Sequence, residues 1–365
     1  MNTIINQITA CIICLFFISS ISAQSLQWTL LAHPDSLQVN GLAFSKDGKY
    51  LLSGTDCHPS HIRLFNMDNG QMQWNYTVGD AFMCQMGVGF SADNKYFASI
   101  EEMGNILIFD YNTSAATIRD TIFIGTQYAF SLCFSPNNQK IAVGGSNGKL
   151  KTYQIANGQE DLNISAHTSF VSTVAYSPDN LMIASGGTDD KVKIWDTSGV
   201  LKYTLNGHTG DITTVKFTAD NSKLISSSKD NTLKVWNTSD GSLIRTINVS
   251  SAQVNAFDIS EDNKFLYVVS QDQMLRTYDF ETKTLLNTIQ VSNLAQPISV
   301  ACSKDMKFIA VGNSKGIINC YKTSVGLSIQ KTDFISNDAN ILYDSDTKSL
   351  QLMNSSEESL HLAIM

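Results

Sequence analysis

The side chains with the clearest capacity for chemistry sit in one short stretch, TDCHPSH, where Asp56, Cys57, His58 and His61 gather carboxylate, thiol and imidazole groups. These are the donor types that hold metal ions. Their spacing matches no recurring ligand pattern, and a polar loop accounts for them as they stand, so no metal is expected. The acidic triplets KDG at Lys46, PDN at Pro178 and EDN at Glu261 resemble paired carboxylates. They read instead as tight turns, in which Asp and Asn bond their own backbone. No glycine-rich loop follows a strand and opens a helix to cradle a phosphate, and no long helical period runs through the chain. Neither catalysis nor a bound cofactor is expected.

Composition narrows the partners. With 365 residues, 43% of them hydrophobic and 16% charged, the chain can bury a large core. A net charge of -8 with no cluster of Lys and Arg repels nucleic acid and anionic lipid, so neither is an expected partner. Residues 1–23 carry no charged side chain, run apolar from Ile8 to Ile18, and end in Ser22 and Ala23. They read as a secretory signal peptide, too short in its apolar part for the roughly 20 residues of a membrane span. The mature protein is expected in the secretory pathway or outside the cell, with the cytoplasm as the alternative if residues 1–23 are not a signal.

The stretch from Ala166 to Asp196 shows what must position any site. An alternating run (VSTVAY), a polar turn (SPDN), a second run (MIASG), an acidic turn (TDD) and a third run ending in Trp195 make a three-stranded meander. Its first anchor recurs at Phe44, Phe90, Phe134, Tyr176, Phe217, Ile259 and Cys302. A second anchor follows each at a nearly fixed offset: Phe65, Phe109, Tyr153, Trp195, Trp236, Tyr278 and Tyr321. A period of about 40–45 residues with four strands per unit predicts an all-β fold, a β-propeller.

The units AHTSF…IWD and GHTGD…VWN resemble the WD-repeat family, and the resemblance extends over nearly all of the chain after residue 24. It implies a hydrogen-bonded chain of His167, Ser185, Asp189 and Trp195, and a second of His208, Ser226, Asp230 and Trp236. It also implies that the residues just ahead of each first strand ring the mouth of the central channel, on the face where family members dock proteins. Those positions are Gln38, Cys84, Tyr128, Phe170, Asp211, Gln253, Gln296 and Asn337. Met83 adjoins Cys84, so an apolar arc from Met83 through Tyr128 and Phe170, with Asp211 beyond it, is the candidate partner surface. Inward tucking of these side chains against the channel is the competing reading. In a propeller Cys57 and Cys84 would share this face, and in an oxidising compartment they could form a disulfide.

Two blade counts fit. Leu26 to His33 matches the fourth-strand segment Leu201 to His208, Trp28 falling on Tyr203, so the mature chain begins with a fourth strand that lacks its first three. Ile341 to Met353 and the closing SLHLAIM imitate the first three strands of a unit. We expect eight blades, residues 24–365 forming the propeller and the N-terminal strand completing the last blade. The alternative is seven blades with a C-terminal extension, Ser25 to Leu31 pairing with Ile317 to Thr323. In function, a rigid non-catalytic scaffold for protein partners is expected. A secreted propeller enzyme or redox protein holding a ligand in the channel is the alternative, disfavoured because Trp195 and Trp236 have structural roles and Trp28 and Trp74 fall on outer strands.

Overall fold

The computed structural model describes residues 24–31, 38–55, 61–77, 85–101, 105–112, 115–124, 128–291 and 295–323, together with the backbone of 339–344, 349–354 and 359–363. The ring occupies Ala23–Thr323 as one compact unit, and the last three of those segments belong to a second. Six four-stranded antiparallel meanders follow one another, at Val39–Thr77, Gln85–Phe123, Ala129–Ser165, Val171–Leu205, Ile212–Asn248 and Val254–Gln290. The seventh sheet has only three consecutive strands, Pro297–Cys302, Phe308–Asn313 and Ile317–Thr323. Its fourth is β1 (Gln24–Leu31), antiparallel to Ile317–Thr323 with Leu31 opposite Ile317 and Gln24 opposite Thr323. The protein is an all-β seven-bladed propeller.

The expected eight blades are thereby corrected to seven. Ala339–Asp344, Ser349–Asn354 and Ser359–Ala363 do form an antiparallel meander, but as a three-stranded sheet of their own, because β1 is already paired elsewhere. The register shows why β1 belongs in the seventh blade. In blade four Trp195 lies opposite Leu201 and Ile194 opposite Tyr203, across a bulge; in blade seven Tyr321 lies opposite Leu26 and Cys320 opposite Trp28, across the same bulge. Leu30 and Trp28 then join Val39, Leu51 and Phe65 of blade one and Ile318 and Cys320 of blade seven in a single apolar cluster, and Ser299 donates to the Val39 carbonyl at 2.7 Å. Closure removes the open sheet edge that would otherwise invite pairing with another chain.

Two belts of contacts hold neighbouring blades together. On the outside, a fourth-strand side chain covers the third-to-fourth-strand turn of the next blade. A Cβ on Gly70 would lie 2.9 Å from the Trp28 ring, and one on Gly241 2.9 Å from Tyr203, at φ of +69° and +74°. Glycine is needed at both for the backbone conformation and for the ring. Arg245 does the same job differently, stacking on Phe280 and donating to the carbonyls of Phe280 and Glu281.

The second belt runs through the turns between first and second strands. Asn94, Asn138, Asn221 and Asn263 all have φ between 57° and 60°. Each uses its Oδ1 to accept a backbone N–H from the preceding blade: Lys46 at 2.7 Å, Ala92 at 2.6 Å, Asp179 at 3.1 Å and Ala219 at 3.0 Å. Asn180 has the same conformation, but the facing turn carries Pro136, which has no N–H, and the buried Oδ1 of Asn180 finds no donor. Asn138→Gly should therefore cost about 0.5–1.5 kcal/mol more than Asn180→Gly, since glycine suits both backbones and only the first loses a bond. Equal shifts in the chemical denaturation midpoint would show that the asparagines serve only their own turns.

Candidate functional site

Two sets of residues compete for functional meaning: the polar chains inside blades four and five, and the rim of one face. In blade four, Trp195 Nε1 lies 3.0 Å from Ser185 Oγ, Ser185 Oγ 2.8 Å from His167 Nε2, and His167 Nδ1 2.8 Å from Asp189. Blade five repeats the arrangement with Trp236, Ser226, His208 and Asp230 at 2.8, 2.8 and 2.7 Å. Donor chemistry orients both. An indole N–H can only donate and a carboxylate only accept, so the serine hydroxyl accepts from Trp and donates to Nε2, and the neutral imidazole donates through Nδ1. Asp189 and Asp230 also accept the amides of Thr168 and Thr209, which pins the loop ahead of the first strand to the second turn. Gly187 makes the room: a Cβ there would be 2.5 Å from the His167 ring.

This geometry contains Ser, His and Asp in order, yet the serine is fully buried and its oxygen is committed to an indole. No substrate can reach such a hydroxyl, so the chain is a structural tie and not a nucleophile. Its electrostatics carry a pH dependence. Burial lowers the pKa of His167 against the opposing pull of Asp189. For Asp189 burial acts upward, but the bond and charge of His167 and the amide bonds outweigh it and hold the carboxyl low. Both folded-state values lie below their unfolded ones, so both stabilising contributions are complete at neutral pH and are lost as pH falls, that of the histidine from about 6.5 and that of the aspartate below about 4. The melting temperature should fall in two stages between pH 7 and pH 3, and His167→Gln should remove the upper stage. A flat profile in the wild type above pH 5 would contradict this.

Blades lacking the motif compensate in ways the sequence alone did not reveal. In blade six Asp272 takes a bidentate bond from Arg276, at 3.0 and 2.5 Å, in place of a histidine. An acid and a base four residues apart were the available signal. Between blades five, six and seven, Asp258 accepts from Lys216 at 2.6 Å and from the amide of Cys302 at 2.9 Å.

The rim positions are equivalent by hydrogen bonding. The carbonyls of Tyr128, Phe170, Asp211, Gln253 and Gln296 accept the amides of Ser146, Thr188, Lys229, Gln271 and Ser314, at 2.8–2.9 Å. What differs is the side chain. Asp211 is paired with Lys229 at 2.8 Å and Gln253 with Gln271 at 3.0 Å, so blades five and six satisfy their own rim. Tyr128 and Phe170 stand 47% and 46% exposed. Phe130, overlooked in the sequence although it follows Tyr128 by two positions, lies with its ring 5.5 Å from that of Phe170. Phe123, 76% exposed at the end of the strand before Tyr128, was overlooked as well.

Met83, Cys84, Asp56, Cys57 and His58 fall outside the described residues, so the apolar arc is described only from Tyr128 onward and the Cys57 to Cys84 pairing not at all. His61 bonds Thr77 at 3.1 Å. Cys133, Cys302 and Cys320 are free thiols.

The fold and these ties define a class, the propellers built from WD repeats. The family model described as WD domain, G-beta repeat matches residues 24–66, 121–154, 158–196, 199–237 and 241–279, more than half of the chain, and the protein belongs to that family. The first match begins on β1 and crosses into blade one, because the sequence repeat is offset by one strand from the structural blade. No curated protein matches the chain.

Proposed function

We propose that this protein is a non-catalytic scaffold, in or beyond the secretory pathway, that docks a protein partner across the face carrying Tyr128 and Phe170. WD-repeat propellers generally mediate protein–protein interactions. The observation that carries the reading is the contrast along the rim, where blades five and six pair their own polar side chains and blades three and four present two half-exposed aromatic rings. Exposed aromatic residues beside a rigid framework bind with little loss of freedom on either side. Residues 1–23 support the compartment through their apolar run and small terminal residues.

The test is affinity capture with mass spectrometry from the native source, comparing wild type with Tyr128→Ser/Phe170→Ser. The variant should melt with the wild type and lose the specific partner. An unchanged set of captured proteins would refute the docking face. N-terminal sequencing of the mature protein tests the compartment, with Gln24 expected as the first residue and Met1 as the contrary result.

A further inference from the structure

Asparagine followed by glycine occurs five times, at Asn40, Asn69, Asn147, Asn157 and Asn206. Such a pair is chemically labile wherever the backbone lets the glycine nitrogen reach the asparagine side chain, because glycine has no Cβ to hinder the approach. At four of the five sites the fold opposes it. Asn69, Asn147 and Asn157 sit in turns between strands, where Gly70, Gly148 and Gly158 donate to the carbonyls of Asn66, Gly145 and Gln154 at 2.8, 3.3 and 2.9 Å. Each of these asparagines also accepts, through its Oδ1, the amide two residues on, that of Gln71, Lys149 or Gln159, at 2.9–3.1 Å, so the carboxamide is committed to its own turn. Asn40 lies within Val39–Phe44, and Gly41 is buried opposite Gly54 of the adjacent strand.

The fifth pair is held differently. Asn206 and Gly207 are both exposed, in the link between the outer strand of blade four, which ends at Leu205, and His208. Among the described residues the Gly207 N–H meets no acceptor and the Asn206 Oδ1 no donor; the carboxamide makes one contact, from Nδ2 to the Thr204 carbonyl at 3.5 Å, the outer limit of a hydrogen bond. The residues on either side are fixed. Leu205 is 2% exposed and lies opposite Val192, and His208 is tied to Ser226 and Asp230.

We propose that Asn206 is a site of spontaneous deamidation and isoaspartate formation. The Gly207 nitrogen gives up its proton to solvent and attacks Asn206 Cγ; the new N–C bond closes a succinimide ring, and the side-chain nitrogen leaves as ammonia. Water then breaks the bond from the Gly207 nitrogen to Cγ, leaving aspartate, or the bond to the backbone carbonyl carbon, leaving isoaspartate. Both products add a negative charge. Only isoaspartate routes the main chain through the side-chain carbon and makes it one methylene longer, between two residues whose places are already set. The extra length loosens the His208 tie, so the modification weakens blade five as the protein ages.

Incubation of the folded protein in mildly alkaline buffer, followed by peptide mapping with mass spectrometry, tests this, with protein isoaspartyl methyltransferase as the probe for isoaspartate. Asn206 should convert about tenfold faster, or more, than Asn40, Asn69, Asn147 or Asn157, because each of those must first open hydrogen bonds of ordinary strength. In denaturant that advantage should disappear. The melting temperature of the wild type should fall as isoaspartate accumulates. Asn206→Gln, whose longer side chain disfavours ring closure, should keep its melting temperature through the same incubation, and freshly prepared Asn206→Asp, which adds the charge without the methylene, should melt near the unaged wild type. An Asn206 that stays amidated in the folded protein, equal rates at the five sites, a fall in melting temperature that Asn206→Gln shares, or an Asn206→Asp protein as unstable as the aged one would overturn the proposal.

Discussion

Deleting residues 24–31 should abolish cooperative unfolding of the ring, whereas a chain ending at Thr323 should unfold as the full-length ring does. β1 supplies the fourth strand of blade seven, and Leu30 and Trp28 lie in the cluster that joins blade seven to blade one. Removing it withdraws large apolar side chains worth about 1.5–3 kcal/mol each and leaves an open edge on Ile317–Thr323. Trp28 is also the cover over Gly70, so blade one loses its outer contact at the same time. The comparison is a pair of denaturant titrations monitored by tryptophan fluorescence and circular dichroism, with coincident transitions as the sign of two-state behaviour. If the deletion retains one sharp transition, or the chain ending at Thr323 loses it, closure through β1 is wrong.

Ser226→Ala should cost more than its size suggests. The change removes one oxygen, but Ser226 is fully buried and that oxygen serves both Trp236 Nε1 and His208 Nε2. Two buried polar groups lose their partner, at about 1–3 kcal/mol each. Trp236 is 1% exposed, so water does not readily replace the acceptor for its Nε1. The double variant Ser226→Ala/Trp236→Phe should be less destabilised than the sum of the singles, because the second change removes a donor that the first has orphaned. Thermal melts of the four proteins give the coupling. A Ser226→Ala protein that melts with the wild type, or strictly additive effects, would show that the chain of bonds contributes little to stability.

Much of this architecture is visible in the residues because it repeats. Strand alternation and two anchors at a nearly constant offset recur in every blade, so the elements and their order are local properties of each unit. The match of Trp28 to Tyr203 is of this kind: both rings cover a glycine of the next blade, and the likeness reflects the same packing at two seams. The His, Ser, Asp and Trp chains were legible for the same reason, as each lies within one unit.

What the repeat could not decide was which blade receives β1. A fourth strand looks alike in every blade, and residues 24–323 divided among seven give the same period of about 43 that 24–365 gives among eight. The choice was made by contacts between units: Trp28 on Gly70, Ser299 on Val39, and Leu30 among residues of two blades. Likewise the sequence determined that Tyr128 and Phe170 occupy rim positions. Lys229 and Gln271, which pair with Asp211 and Gln253, lie 18 residues on within the same blades, whereas only the assembled ring sets Phe130 of blade three against Phe170 of blade four. Periodicity encodes what each residue does within its own sheet. Packing between blades and closure depend on side chains some forty or more residues away, and no local pattern records them.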